Sequence, residues 1–413
     1  MRLTTVLGSN GTTATGIERA GWQQRLLAEL ARGSDLLSLD VLGQLFMVRW
    51  GRAVTWQQRV AMSSAWSRCI STDKPQLPLV PPEPTPGAPF TASVTSTSTK
   101  HPAGTFRLEA GSFEELAENL TSRLTIAAIL ANAGELTMLH ACGVADPGTG
   151  AVVALVAKSG TGKTTAASVL ARSYGYVTDE TVAIAWDGSV IPYPKPLSVK
   201  QGAGAPKRQA GPDEFGLQPA PAMPFIRSIV LLNRIQGNRA TAPVLEKVPL
   251  ADAVLALIPD SSSQADVVDP LQSLCRLIES VGGVWQVTYS EAADLPTALE
   301  PLFRLQPASG TQWEPAAREA VQPGQLPASS VRRRDLRDAV AIGDDLLVML
   351  DNEIVRLSGI GPAVWEACAG PANLEQITKH VGRMHGQPDG YRVAVAGAVE
   401  QLLAKSILVR GHN

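Results

Sequence analysis

The stretch that most constrains this chain is a glycine-rich loop between two apolar runs, from residue 151 to residue 172. The small apolar residues at 151–157 predict a buried strand, and the alanine-rich run after the loop predicts a helix. The loop between them reads Lys158-Ser159-Gly160-Thr161-Gly162-Lys163-Thr164-Thr165. Strand, glycine loop, Lys-Thr and helix in this order are the context of a phosphate-binding P-loop. The sequence therefore predicts a nucleotide site here.

The chemistry of the loop supports this prediction. Gly160 and Gly162 let backbone N–H groups converge on an anion, and the start of the following helix adds partial positive charge. Lys163 is placed to reach the β- and γ-phosphates, and the Thr164 hydroxyl to ligate Mg²⁺. Ala157 stands where the pattern G-x-x-x-x-G-K-[ST] has its first glycine. We predict ATP and Mg²⁺ as cofactors.

Composition bounds the class of protein. The 413 residues are 45% hydrophobic, enough for a large core, and the length predicts two or three domains. A net charge of −2 gives no global electrostatic basis for binding nucleic acid or an anionic membrane. No apolar run approaches ~18 residues, and the N-terminal residues lack the apolar core of a signal peptide. The scattered cysteines are typical of reduced, mostly buried thiols: Cys69, Cys142, Cys275 and Cys368. We expect a cytoplasmic protein that binds neither nucleic acid nor a membrane.

Composition and periodicity divide the chain into segments. Apolar residues at helical spacing predict a helical N-terminal region over 1–74, and prolines predict a linker, or the start of the core, over 75–105. Residues 106–305 alternate strands and helices, as an α/β domain does. A second proline-rich linker at 306–330 precedes a C-terminal domain at 331–413. This division predicts that the C-terminal domain can be removed without disabling the nucleotide site.

Charged residues on neighbouring strands are candidates for the same site. Asp179 and Glu180 interrupt a β-branched strand after the P-loop helix, and a strand predicted before the loop carries His140. A nucleotide site needs a carboxylate to hold Mg²⁺, or a base to accept a hydroxyl proton, at the end of a neighbouring strand. Arg227 and Arg234 flank a later strand, and either one is placed to stabilise phosphate charge.

These features together resemble the core of the HPr serine kinase family, over about residues 106–305. The resemblance rests on four segments: His140-Ala-Cys-Gly-Val144, AKSGTGKTT, Val177-Thr-Asp-Glu-Thr-Val182 and Pro192-Tyr-Pro-Lys-Pro-Leu-Ser-Val-Lys200. It implies an HPr kinase-like P-loop fold and phosphotransfer from ATP. The chain has no E-x-R-G-L-G segment, which helps form the active site in that family. HPr itself is therefore not the expected substrate.

The resemblance also implies a role for each matching residue. Lys163 and Thr164 would bind phosphate and Mg²⁺, and His140 would lie near the γ-phosphate. Asp179 would be the catalytic acid/base and also face the metal. Glu180, which stands where the family has Asp, would be a second carboxylate on the metal side.

The C-terminal domain has its own pattern of strands and helices. Residues 339–350 predict a hairpin, and a third strand, three helices and a last strand are predicted at 353–357, 362–369, 374–384, 391–404 and 407–410. Small strands followed by three helices are typical of a winged-helix-like α+β domain. A DNA reader should be clearly basic, yet residues 331–413 hold ten Lys/Arg and ten Asp/Glu.

The same domain resembles the PqqD-like peptide chaperones, which are recognition elements of ribosomally made, modified peptides. The resemblance rests on Val348-Met-Leu-Asp-Asn-Glu-Ile-Val-Arg-Leu-Ser358, Gly361-Pro-Ala-Val-Trp365 and Val399-Glu-Gln-Leu-Leu-Ala-Lys-Ser-Ile-Leu408. It implies that the leader of a precursor peptide binds as an added strand, between the 353–357 strand and the third helix.

The predicted fold class is therefore α/β: an HPr kinase-like P-loop core with a helical N-terminal region and a C-terminal winged-helix-like α+β domain. The predicted function is ATP- and Mg²⁺-dependent phosphorylation of a Ser or Thr hydroxyl on a ribosomally made precursor peptide, such as a lasso peptide. Three alternatives stay open: an ATP-binding chaperone or scaffold for peptide-maturation enzymes, a small-molecule kinase, and a winged-helix regulator with a nucleotide switch. Other maturation enzymes and a second copy of the chain also stay open as partners.

Overall fold

The computed structural model describes residues 34–71, 82–96, 104–158, 162–235, 242–305, 310–319 and 326–411. Its α-helices are α1 (Trp56–Ala65), α2 (Phe113–Ala131), α3 (Lys163–Leu170), α4 (Leu250–Leu257), α5 (Pro270–Ser280), α6 (Leu295–Leu299), α7 (Gly361–Ala367), α8 (Leu374–His385) and α9 (Tyr391–Ala404). Within the described ranges, none of the helices is long and apolar enough to cross a bilayer. The mixture of helices and sheets makes this an α/β protein.

The strands form several separate sheets. In chain order they are β1 (Leu36–Val41), β2 (Gln44–Trp50), β3 (Phe90–Ser96), β4 (Thr105–Ala110), β5 (Thr137–Leu139), β6 (Ala141–Ala145), β7 (Ala151–Val156), β8 (Gly175–Thr178), β9 (Val182–Ile184), β10 (Val190–Ile191), β11 (Leu197–Val199), β12 (Arg208–Ala210), β13 (Gln218–Pro219), β14 (Phe225–Arg234), β15 (Val244–Val248), β16 (Ser261–Ser262), β17 (Val284–Tyr289), β18 (Glu314–Pro315), β19 (Val331–Arg333), β20 (Asp338–Ile342), β21 (Asp345–Leu350), β22 (Glu353–Leu357) and β23 (Leu408–Arg410). The chain divides into two compact units. One consists of Met1–Ala128 and Pro194–Phe215, and the other of Ile129–Tyr193 and Gly216–Asn413.

The first unit contains a four-stranded antiparallel sheet in the order β1-β2-β3-β4. This sheet corrects the helix predicted over 1–74, because β1 and β2 form a hairpin. The buried residues of β1 alternate, as in a strand with one buried face: Leu37, Leu39 and Val41. Leu42 and Gly43 turn the chain with φ values of 53° and 74°, as a tight hairpin requires. Helix α1 is the part of that prediction that is confirmed, and residues 1–33 lie outside the described residues.

The second unit is organised around a seven-stranded sheet in the order β13-β8-β6-β7-β14-β17-β15. Strands β7, β14 and β17 are parallel, and β8 runs in the same direction because both β7 and β8 are antiparallel to β6. The carboxyl ends of these four strands therefore meet at one edge of the sheet, where α/β proteins place their ligands. β7 is buried along its whole length, as its small apolar residues predict.

A smaller sheet, β10-β9-β5-β16, lies in the same unit. The chain changes from this sheet to the larger one at His140, between β5 and β6, and changes back after Asp179 and Glu180, between β8 and β9. Both changes occur at residues that the sequence marks as candidates for the nucleotide site.

The C-terminal residues form the sheet β18-β20-β21-β22, followed by α7, α8 and α9, and β23 then pairs with β19. From β20 onward this order of strands and helices is the one that the sequence predicts, whereas β18, inside the predicted linker, and β19 are additional strands. The winged-helix arrangement stays a prediction, as do the domain boundaries.

The sheet β18-β20-β21-β22, called the C-terminal sheet below, shares a core with the seven-stranded sheet, called the central sheet below. Val340, Leu347 and Met349 are buried in the same cluster as residues of β7, β14, α4 and α5. Trp313, which lies inside the predicted 306–330 linker, is 7% exposed and belongs to that cluster as well. Because of this packing, we expect removal of the C-terminal residues to expose part of the core that also supports the nucleotide site.

Candidate nucleotide site

The two ends of the predicted P-loop, Lys158 and Gly162, lie between the carboxyl end of β7 and the start of α3. Gly162 opens α3 with a φ of 99°, a conformation that glycine adopts without the steric cost of a side chain. Lys158 is exposed before the loop, and Thr164 and Thr165 are exposed in the first turn of the helix. The remaining predicted loop residues lie outside the described residues: Ser159, Gly160 and Thr161.

Lys163 is the buried cation of the site. The residue is only 7% exposed, and its side-chain ammonium donates a hydrogen bond to the carbonyl of Ala157. Burial lowers the pKa of Lys163, while the charges of Asp260 and Glu180 act in the opposite direction. A cation that has already lost most of its hydration is well placed to neutralise a phosphate without further desolvation.

Asp179 follows β8 and faces the P-loop helix. Its Oδ2 atom lies 3.5 Å from the Thr164 hydroxyl, and its Oδ1 atom accepts a hydrogen bond of 3.0 Å from the Tyr176 hydroxyl. The parallel direction of β7 and β8 explains why a loop after one strand meets a carboxylate after the other. The structure therefore brings together two of the predicted metal-binding residues, although they are 15 positions apart in sequence.

The donor set is of the kind that Mg²⁺ uses. Mg²⁺ is usually held by one or two carboxylates and substrate phosphates, and it keeps several waters. Thr164, Asp179 and the half-buried Glu180 fit that description. No cluster of three or more His, Cys, Asp or Glu residues suited to a protein-only metal site occurs within the described part of the chain. The site fits a metal that arrives with a nucleotide.

His140 lies at the bend between β5 and β6. Its backbone N–H donates a hydrogen bond of 2.6 Å to the carbonyl of Asp260. Burial lowers the pKa of the imidazole and the positive charge of Lys163 lowers it further, while Glu180, Asp260 and Asp179 oppose the shift. A neutral imidazole at pH 7 can donate one hydrogen bond and accept another, so His140 can orient a phosphate or a hydroxyl.

The two arginines of β14 occupy different ends of the strand. The Arg234 guanidinium Nε donates to the carbonyl of Ser290 at 3.2 Å, and a Cβ placed on Gly162 would lie 3.8 Å from Arg234 Nη1. Arg227 instead donates to the carbonyl of Leu305 and lies 4.9 Å over the Phe225 ring. Arg234 is thus the arginine that faces the P-loop.

Sequence reasoning misses two residues of this site, Tyr176 and Asp260. Tyr176 is fully buried in β8 and has the pattern of a core residue, so its hydroxyl contact with Asp179 has no signal in the sequence. Asp260 reaches the site through the pairing of the two-residue strand β16 with β5. A strand of two residues is too short to show a periodicity.

Comparisons with known proteins add little to this geometry. No family model matches the chain, and no curated protein matches it. Among solved structures, the Hpr(Ser) kinase/phosphatase from Coxiella burnetii aligns with 40% of this chain and 93% of its own, at 12% identity and a TM-score of 0.21. A likeness of that size supports no statement about activity, so the case for function rests on the residues of the site.

Proposed function

We propose that this chain is an ATP- and Mg²⁺-dependent kinase that phosphorylates a Ser or Thr hydroxyl of a ribosomally made precursor peptide. The observation that carries the proposal is the 3.5 Å approach of the Thr164 hydroxyl to the Asp179 carboxylate, beside the buried Lys163. A P-loop threonine and a carboxylate at the carboxyl end of another strand of the same sheet are the pair that positions a nucleotide and its metal for phosphoryl transfer.

Each residue has a defined part in the proposed reaction. Lys163 and Arg234 bind the phosphate chain and take up charge on the transferring group. Asp179, held by the Tyr176 hydroxyl, accepts the proton of the attacking hydroxyl. Thr164 and Glu180, with Asp179, would hold Mg²⁺, which neutralises phosphate charge when it is bound.

The C-terminal sheet supports the proposed recognition of a peptide. β22 is the terminal strand of that sheet and pairs with β21 on one side, and no strand covers its other side within the described residues. An open strand edge offers backbone N–H and C=O groups to an added peptide strand. An exposed ion pair of 3.6 Å between Glu353 and Lys405 joins the start of β22 to the end of α9. We propose that the PqqD-like groove for the leader lies along β22 and α9.

The experiment is a transfer assay with the full chain, ATP and a precursor-like peptide encoded beside its gene. A kinase adds the mass of one phosphate to a Ser or Thr of the peptide. We expect Lys163→Ala to abolish transfer, and Asp179→Asn to slow it by about 100-fold or more, in line with general-base contributions. Asp187→Asn is the matched control, because Asp187 is an exposed aspartate in the turn after β9. It should transfer phosphate at the wild-type rate.

The other outcomes separate the alternatives. ATP binding that depends on Lys163, without phosphate on any peptide, would favour a chaperone or scaffold. Transfer to a small hydroxylated molecule would favour a small-molecule kinase. Leader dependence is tested by comparing the whole precursor with its core part, and equal KM values for the two peptides would remove the peptide-recognition half of the proposal.

A further inference from the structure

The segment from residue 258 to residue 269, called the connecting segment below, runs from α4 to α5 and passes the nucleotide site. Within it, β16 pairs with β5 so that Ser261 lies opposite Leu139. The preceding residue, Asp260, accepts the backbone hydrogen bond of His140 at 2.6 Å. The His140 backbone is therefore held by its hydrogen bond to the connecting segment and by the chain that continues directly into β6.

The side chain of Asp260 also belongs to the electrostatics of the site. Among the neighbouring charges, Asp260 has the largest effect on the pKa of Lys163, which it raises, and it raises the pKa of His140 as well. Asp260 is half-buried, which makes such interactions stronger than between solvated groups. The site therefore has a carboxylate on the side of His140 in addition to Asp179 and Glu180.

The other end of the connecting segment is held by residues of the C-terminal sheet and its flanks. Arg318, after β18, forms an ion pair of 2.6 Å with Asp269. Arg337, before β20, donates through Nε to the carbonyl of Ala265 at 3.0 Å. Asp338, fully buried, accepts bonds of 2.8 and 3.0 Å from the first N–H groups of α5 and one of 2.8 Å from the Gln272 side chain.

The backbone of the connecting segment needs these contacts. Ser263 and Asp269 have φ values of 55° and 46°, in the left-handed region that costs non-glycine residues on the order of 1–3 kcal/mol. Such conformations persist only where the surroundings hold them. The strained residues bracket Ala265, where Arg337 binds, and Asp269 is itself the partner of Arg318.

We propose that the C-terminal sheet positions Asp260, and through it His140, in the nucleotide site. In this view Arg318 and Arg337 are positioning residues, which act on the site through the connecting segment without touching the nucleotide. The role of the site in phosphoryl transfer rests on the proposed function. The coupling between the C-terminal sheet and the position of His140 does not.

The link is tested by hydrogen exchange on the full chain, which needs no substrate. We compare the wild type with the double variant Arg318→Ala, Arg337→Ala. The His140 amide should exchange about fivefold faster or more in the double variant, since weakening a typical hydrogen bond is worth ~1 kcal/mol. The matched control is Asp252→Asn, which breaks a 2.7 Å ion pair between Arg356 of the same sheet and α4, outside the connecting segment. It should leave the exchange of His140 unchanged.

The consequence for the site is tested by a mutant cycle on ATP hydrolysis without peptide. Asp260→Asn keeps the backbone carbonyl but removes the charge, and we expect kcat to fall about tenfold with KM for ATP changed less. The arginine double variant should lower kcat similarly, and combining it with Asp260→Asn should cause little further loss. A purely structural role would instead give independent, additive losses.

The outcomes separate this proposal from the proposed function. Unchanged exchange at His140, an equal effect of Asp252→Asn, or additive losses in the cycle would each overturn the positioning role. If Lys163→Ala fails to weaken binding of a fluorescent ATP analogue, the proposed function falls while the exchange result still stands. If Lys163→Ala weakens binding but Asp260→Asn turns over ATP at the wild-type rate, the part of Asp260 in the site is refuted.

Discussion

Arg234 ends β14 at the edge of the sheet where the P-loop lies, and its guanidinium faces Gly162. Because hydrogen bonds to charged groups are worth about 1.5–3 kcal/mol, Arg234→Ala should weaken ATP binding about tenfold or more. Arg227→Ala is the matched control from the same strand, since Arg227 contacts Leu305 and Phe225. Titration with a fluorescent ATP analogue measures both, and equal effects of the two substitutions would contradict the assignment.

His140 makes the stability of the protein depend on pH in a defined direction. Its pKa is lowered in the folded state, whereas the unfolded chain has a value of about 6.5. Above that pH the imidazole is neutral in both states. Below it the unfolded state binds the proton first, so the free energy of unfolding falls as pH decreases from about 6.5 towards the folded pKa.

Urea unfolding at pH 7.5, 6.5 and 5.5 checks this expectation on the wild type and on His140→Gln. We expect a smaller loss of stability on acidification in the variant, because glutamine has no proton to gain. His385→Gln, at an exposed residue near the end of α8, should keep the wild-type pH dependence. The same slope in all three proteins would show that His140 contributes nothing to it.

The sequence indicates those residues of the site whose role depends on local pattern. The P-loop spacing identifies Lys163 as a candidate, and the place of Asp179 after a β-branched run identifies that residue. Both can therefore be recognised from a few neighbouring residues. Asp260 cannot be found this way, because its position depends on pairing between β16 and β5, more than 120 residues apart. Arg227 and Arg234 are equivalent in sequence, and the direction of β14 separates them.

Among the elements, α5 begins in an unusual way, since its first N–H groups are capped by Asp338 from a strand that is distant in sequence. Asp338→Ala would leave these groups unsatisfied in a buried place, at a cost of about 1–3 kcal/mol for each group. We expect a loss of about 3 kcal/mol in the free energy of unfolding, measured with urea. Asp344→Ala, in the exposed turn after β20, is the control and should change stability by less than about 0.5 kcal/mol.

The elements differ in how well the sequence indicates them. The strands and helices after residue 338 are predicted to within a few residues, because turns such as Gly343-Asp344 separate short runs of clear periodicity. The hairpin of β1 and β2 is misread as helix because Leu, Val and Met occupy both of its faces. Apolar residues on both faces fit the spacing of a helix as readily as that of a strand.

At the scale of the whole molecule, the shared core makes the C-terminal sheet part of the stability of the nucleotide site. Burying an aliphatic or methionine side chain is worth about 1.5–3 kcal/mol, and Val340, Leu347 and Met349 all lie in the common cluster. The burial free energies of these three side chains together are comparable with the roughly 5–15 kcal/mol by which a typical domain is stable. A chain cut after residue 305 should therefore be unstable or insoluble.

A milder test keeps the chain whole. Leu347→Ala should lower the free energy of unfolding by about 2–5 kcal/mol. It should lower the temperature of the same calorimetric transition that ATP raises, because the C-terminal sheet and the nucleotide site share one core. Leu374→Ala, at an exposed residue opening α8, should leave that transition where it is. Two transitions, with ATP raising one and Leu347→Ala lowering the other, would show that the C-terminal residues unfold independently.

The two places where the chain passes between the central sheet and the smaller sheet have a consequence for motion. His140 lies at one passage and Asp179 with Glu180 at the other, and β5 and β9 on the far side of each passage are paired with each other. On the other side of each passage, β6 and β8 are paired as well. A shift of His140 relative to Asp179 and Glu180 would therefore require strand pairing to break in both sheets. We expect the imidazole and the two carboxylates to keep their spacing in any motion that leaves the sheets intact.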